Sequence, residues 1–170
     1  GTKYIRVFSF YTDDLDASRD EVIKRMKKMT EIAEKEGVML LHENEKDIYG
    51  EKPERCLEIL RAVNRPALRA VFDPATFIQA GVKPYTEAYP LLKDYITYMH
   101  IKDCIAEIDT VVPAGEGDGH LEDIIKALDV EDKVYLLSVE PHLRVFEGLD
   151  NLEPDDSTAS KMNSKFVYPD

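Results

Sequence analysis

Val38-Met-Leu-Leu-His-Glu43 is the stretch on which the fold turns. Four apolar residues in a row, followed by a histidine and a closing acid, are too short and too continuous for an amphipathic surface helix. They suit a strand covered on both faces, as in a parallel sheet. The same form returns at Leu68-Arg-Ala-Val-Phe-Asp73, Ile96-Thr-Tyr-Met-His100 and Val134-Tyr-Leu-Leu-Ser-Val-Glu140, each about one βα unit after the last. Parallel strands bring their carboxyl ends to one face. Glu43, Asp73, His100 and Glu140 are therefore expected to converge there.

The segments between these runs read as helices and loops. Lys3–Phe10 is β-branched and aromatic and predicts a first strand. A helix follows from about Ser18 to Lys35, with Ser18 and Glu21 at capping-box spacing and Gly37 as its stop. Pro53 suits the first turn of a second helix, whose inner face carries Cys56, Leu57, Leu60 and Val63. Pro84 opens another, interrupted near Pro90. The loop Val112–Gly119 leads into a helix around Leu121–Leu128, with Asp118 as its expected cap. Strict alternation argues an α/β fold with about five parallel strands and flanking helices. Five βα units are too few for an eight-stranded barrel, so residues 1–150 read as a partial (β/α)8 barrel carrying a metal site. Residues 151–170 are polar and turn-rich and read as an irregular C-terminal segment.

Three carboxylates at one point resist ionising together unless a cation joins them. Oxygen and imidazole ligands suit Mn²⁺, Zn²⁺, Co²⁺ or Mg²⁺. Such an ion can chelate a sugar carbonyl and the adjacent hydroxyl, and stabilise the enediolate formed when the carbon between them loses a proton. Glu43 and Glu140 have the chemistry to move that proton. Around them, Glu45 shares the face of Glu43 if the strand continues, while His42 points away as a structural residue. Arg6 is the wrong residue for a core, and either reaches the substrate pocket or pairs with one of the acids. Lys102 and Asp103 read equally as substrate contacts or a surface ion pair. Glu116, within Gly115-Glu116-Gly117, sits on an active-site loop or on an ordinary glycine-rich turn. His142 either touches substrate beside Glu140 or has no role. His120, at a helix start, is expected to face solvent.

Composition narrows the function classes. The chain has 170 residues, 44% of them hydrophobic and 33% charged, with a net charge of −12. So acidic a chain is poorly suited to nucleic-acid backbones or anionic membranes. No apolar run approaches the ~20 residues needed to cross a bilayer, and no signal-peptide pattern opens the sequence. Gly1 in place of a methionine reads as a processed or cut start. Two cysteines, Cys56 and Cys104, fit neither a zinc spacing nor a disulfide framework, which suggests a reducing, cytoplasmic setting.

Five segments in order, Leu40–Glu45, Val71–Phe77, Met99–Asp103, Pro113–Asp118 and Ser138–His142, resemble the xylose-isomerase-like barrels of the sugar phosphate isomerase/epimerase superfamily. That superfamily also contains inosose dehydratases and endonuclease-IV-type repair enzymes. The resemblance implies a barrel with its metal at the carboxyl-end face, ligated by Glu43, Asp73, His100 and Glu140. Lys3–Phe10 would then be strand four, the chain being the C-terminal portion from strands four to eight. The implied activity is a metal-dependent isomerase or epimerase of a small sugar or sugar phosphate. An inosose-dehydratase-like lyase is the alternative, or a non-catalytic metal-binding barrel fragment. Tyr49 and Ala106 depart from the ketose 3-epimerase pattern, and Thr76 replaces a histidine common three residues past the ligand aspartate. Exposed edges on the end strands would favour self-association.

Overall fold

A computed structural model describes residues 1–129 and 135–140. In chain order the elements are β1 (Tyr4–Val7), α1 (Arg19–Lys35), β2 (Met39–Glu43), α2 (Pro53–Val63), β3 (Leu68–Phe72), α3 (Pro74–Gln79), α4 (Tyr89–Leu92), β4 (Ile96–Ile101), β5 (Asp103–Ile105), β6 (Thr110–Val112), α5 (Leu121–Asp129) and β7 (Leu136–Val139). A 3₁₀ turn at Tyr49–Glu51 precedes α2, and a π-helical turn at Pro84–Ala88 precedes α4.

Five strands form one parallel sheet in the order β1-β2-β3-β4-β7. Each new strand therefore adds beside the previous one, as in a barrel. The sheet is strongly curled. Arg6 on β1 and Glu140, just past β7, stand four strand spacings apart, about 19 Å in a flat sheet, yet their side chains meet at 3.3 Å. The chain is thus a half-barrel, five parallel strands with flanking helices.

Apolar periodicity explains how the helices cover it. Leu40 of β2 packs with Val22 and Met26 of α1, and Phe72 of β3 joins Ile59 and Leu60 of α2, Phe77 of α3 and Tyr89 of α4 in one core. Leu121, Ile124 and Leu128 bring α5 into the same cluster. Helix α1 ends as Gly37 implied. The glycine takes φ +67°, while Val38 N donates to Ala33 O and Gly37 N to Glu34 O, closing the last carbonyls. Pro53 opens α2 as expected, and Asn64, in the left-handed region, ends it. On the end strands Ile5, Leu137 and Val139 remain exposed.

Several local expectations are corrected. The first strand is Tyr4–Val7 rather than Lys3–Phe10; Phe10 has φ +69°, which no extended strand permits. Ser18 forms no capping box. It is already helical (φ −80°, ψ −11°) and its hydroxyl donates to Leu15 O, while Glu21 pairs with Lys24 and Arg25. Asp118 does not cap α5, because its carboxylate accepts from Ala106 N instead. Two features were not anticipated: the short helix α3, and a β5–β6 hairpin inside the segment after His100. Val134, His142 and residues 151–170 lie outside the described residues.

Candidate metal centre

Each of the four residues reaches the carboxyl-end face by a different local route. Glu43 is the last residue of β2 and His100 lies within β4. Asp73 follows β3 as the N-cap of α3, its Oδ1 accepting from Thr76 N at 2.9 Å. Glu140 follows β7, held by its own N–H donating to Ile101 O at 3.2 Å. One ligand atom from each comes within 4.8 Å of all the others. Glu43, Asp73 and His100 are buried, and Glu140 is partly so.

The centre of the cluster is the His100 ring. Its Nδ1 lies 3.0 Å from Glu43 Oε1, 3.2 Å from Glu140 Oε2 and 3.4 Å from Asp73 Oδ2. Burial disfavours a charged imidazole, but hydrogen bonds to Asp73, Glu140 and Glu43 outweigh it and lift the group to about 11. A single N–H serves one acceptor well, not three. Glu43 Oε2 is also buried without a hydrogen bond, although the Arg6 guanidinium lies 3.1 Å away. A donor set of three carboxylates and one imidazole, over-supplied with acceptors around a single proton, fits a divalent cation.

Two cations border the acids. Arg6 Nη1 stands between Glu43 and Glu140, 3.1 and 3.3 Å away, with its guanidinium over the Phe8 ring and its side chain half exposed. Arg6 therefore pairs with the acids, one of its two expected placements. Lys102 is 6% exposed and aims at Asp73 and Glu140, so the surface-ion-pair reading is replaced by a buried one. Glu45 lies beyond the end of β2, half-buried, with its carboxyl raised above the usual range chiefly by burial. Glu116 is exposed on its loop. His120 is exposed too, but stacks on Tyr85 at 5.9 Å.

Asp103 is not aimed at substrate. Its buried carboxylate accepts from four backbone N–H groups: Cys104 and Gly119 on Oδ1, Gly115 and Gly117 on Oδ2. Gly117 and Gly119 are required there, since a Cβ would sit 2.4 and 2.6 Å from Oδ1. Sequence reading missed Asn44, whose side chain both donates to Asp73 O and accepts from Asp73 N at 3.0 Å. That pair of bonds ties the end of β2 to the end of β3 and sets the Glu43–Asp73 spacing. An amide next to a strand-end acid was its one visible signal. His42 is structural as expected, buried against Gly50 on the other face.

Comparison with known proteins agrees with this fold. The probable 3-DHS dehydratase AsbF from Bacillus anthracis superposes with a TM-score of 0.66 at 18% identity, covering 95% of this chain and 62% of its own. A xylose isomerase-like TIM barrel protein from Mycobacterium smegmatis, in complex with magnesium, gives 0.65 at 17% identity over 82% of this chain and 55% of its own. A D-tagatose 3-epimerase-like protein gives 0.68 at 21% identity, covering 82% and 56%. At these identities the likeness is one of fold, and the chain spans little more than half the length of these structures. No curated protein matches the sequence. The family model for xylose isomerase-like TIM barrels matches residues 1–161. That match does not carry the narrower expectation of a C-terminal portion beginning at strand four. With a curled parallel sheet, four candidate ligands at its carboxyl end and a family match along nearly the whole chain, this protein belongs to the xylose isomerase-like TIM barrel family.

Proposed function

We propose that this site binds a divalent metal ion (Mn²⁺, Zn²⁺, Co²⁺ or Mg²⁺) and isomerises or epimerises a small sugar or sugar phosphate through an enediolate. The observation that carries the reading is the convergence of Glu43, Asp73, His100 and Glu140 within 4.8 Å at the carboxyl ends of parallel strands. When bound, the ion polarises the carbonyl and adjacent hydroxyl of an open-chain sugar. The protein's own groups handle the proton. Glu43 and Glu140 come from strands on either side of the His100 strand, and in this reading one removes a proton and the other returns it. Asp73 and His100 are anchors, fixed by Asn44 and by the Tyr98 ring set edge-on to His100 at 5.8 Å. Arg6, Glu45, Lys102 and Glu116 supply the substrate side.

A lyase of the inosose dehydratase kind shares the enolisation and differs in what leaves next. The structure named as a probable dehydratase covers 95% of this chain and supports keeping that second reading. Incubation in D₂O with Mn²⁺ or Co²⁺ and a panel of ketoses, their phosphates and inososes tests both. Deuterium entry at the carbon beside the carbonyl is the expected result, with loss of water marking the lyase. Bound metal without exchange into any of these compounds would refute the reading.

A further inference from the structure

Among the described charged residues, Lys102 has an unusual combination of burial and unmet hydrogen-bonding capacity. It follows β4 two residues after His100, so strand alternation turns it to the same face. Its Nζ lies 3.7 Å from Asp73 Oδ2 and 3.8 Å from Glu140 Oε2. Those distances give Coulomb attraction but not a hydrogen bond, and no described residue accepts one from it. Exposed lysines in this chain do better: Lys24 donates to Glu21 and Lys126 to Glu122. Arg6, half exposed, already donates to Glu140. Only 7% of its side chain is exposed, and its ammonium, which donates to no described residue, faces the ligand cluster with donors still to fill. The backbone on which Lys102 sits is held rigidly, because the next residue is the Asp103 clamp with its four N–H bonds. The arrangement is a preorganised donor awaiting an acceptor that arrives with the substrate.

We propose that Lys102 is a catalytic residue whose ammonium donates a hydrogen bond to the substrate oxygen on which negative charge develops during enolisation. The inference rests on the enolisation reading above. In that step the base takes the proton from the carbon beside the carbonyl. The C–H electron pair becomes the new C=C bond, and the carbonyl π pair moves onto oxygen. Lys102 stabilises that oxyanion without giving up its own proton, which makes the site selective for planar anions with two neighbouring oxygens over neutral polyols.

Acetohydroxamate, which has that shape and charge, is the probe. Calorimetry on the Mn²⁺-loaded protein compares wild type with Lys102→Met and Lys102→Gln. A lost charge-assisted hydrogen bond should weaken acetohydroxamate at least about tenfold in the Met variant and by less in the Gln variant. Mn²⁺ affinity is expected to hold or tighten, since a neighbouring positive charge has gone. Equal acetohydroxamate affinity in wild type and Lys102→Met would overturn the proposal. So would a loss that merely follows weakened Mn²⁺ binding in both variants, the signature of a structural role. Failure of wild type itself to bind Mn²⁺ would instead sink the metal-site reading, and this inference with it.

Discussion

Replacing Asp103 by asparagine, which exchanges one carboxylate oxygen for an NH₂ and leaves size and shape almost unchanged, should destabilise this protein by about 3 kcal/mol. The carboxylate is 1% exposed and accepts at 2.9 Å from Cys104 N, Gly115 N and Gly119 N, and at 3.1 Å from Gly117 N. Hydrogen bonds to a charged group contribute about 1.5–3 kcal/mol each, against about 0.5–1.5 for neutral pairs. Asparagine keeps one oxygen, which will turn to the buried Cys104 and Gly119 amides, so two bonds survive and each loses about 1 kcal/mol with the charge. Its NH₂ then faces the Gly115 and Gly117 amides, donor against donor. Those two bonds, about 1.5–3 kcal/mol each, are lost. The loop is open enough for water to recover part of that, and a neutral side chain is easier to bury, leaving a net cost of about 3 kcal/mol. Urea denaturation followed by far-UV circular dichroism measures the loss, and amide hydrogen exchange at Gly115, Gly117 and Gly119 locates it. An Asn variant within about 0.5 kcal/mol of wild type, the range of ordinary surface changes, would refute the clamp.

Other perturbations test the remaining parts of the structure. Saturation with Mn²⁺ at a hundred times its dissociation constant should add about 2.7 kcal/mol of stability; a chelator should remove that gain, and His100→Ala should never show it in thermal melts. Gly50→Ala would place a methyl 2.5 Å from His42 Cε1 and 2.8 Å from Ser9 Oγ. In so tight a core it should cost about 1–3 kcal/mol by urea titration, and a neutral result would mean the core there is looser than described. Burial holds the His42 imidazole down to about 4, from 6.5. The unfolded chain therefore takes up a proton that the folded chain refuses, and stability falls as pH drops from 6.5 towards 4, by at most about 3 kcal/mol. Urea titrations across that range on wild type and His42→Leu should differ in slope, and equal slopes would refute the assignment.

The strand runs and the polar residues that end them were legible in the sequence because burial on both faces of a parallel sheet leaves a continuous apolar signature. Leu40, Leu68, Ile96 and Met99 are all buried, as that signature requires. Gly37 and Pro53 were legible because left-handed φ and a missing N–H are properties of single residues. Ser18 and Asp118 misled for a related reason. A capping side chain has several backbone partners within reach, and only the fold decides which it takes. The β5–β6 hairpin escaped notice because three-residue strands carry too few alternations to register.

The sequence by itself determined the parallel α/β class, the four residues at strand ends and the acidic character, since each follows from local pattern and residue chemistry. Tertiary structure alone decided that Arg6 stands between Glu43 and Glu140, that Lys102 is buried, that Asn44 joins two strands and that Asp103 holds a loop. The Arg6 placement depends on curling the sheet until residues as far apart as Arg6 and Glu140 touch. Contact across such a separation is set by register and curvature, summed over every strand between, and no short window of sequence contains that sum.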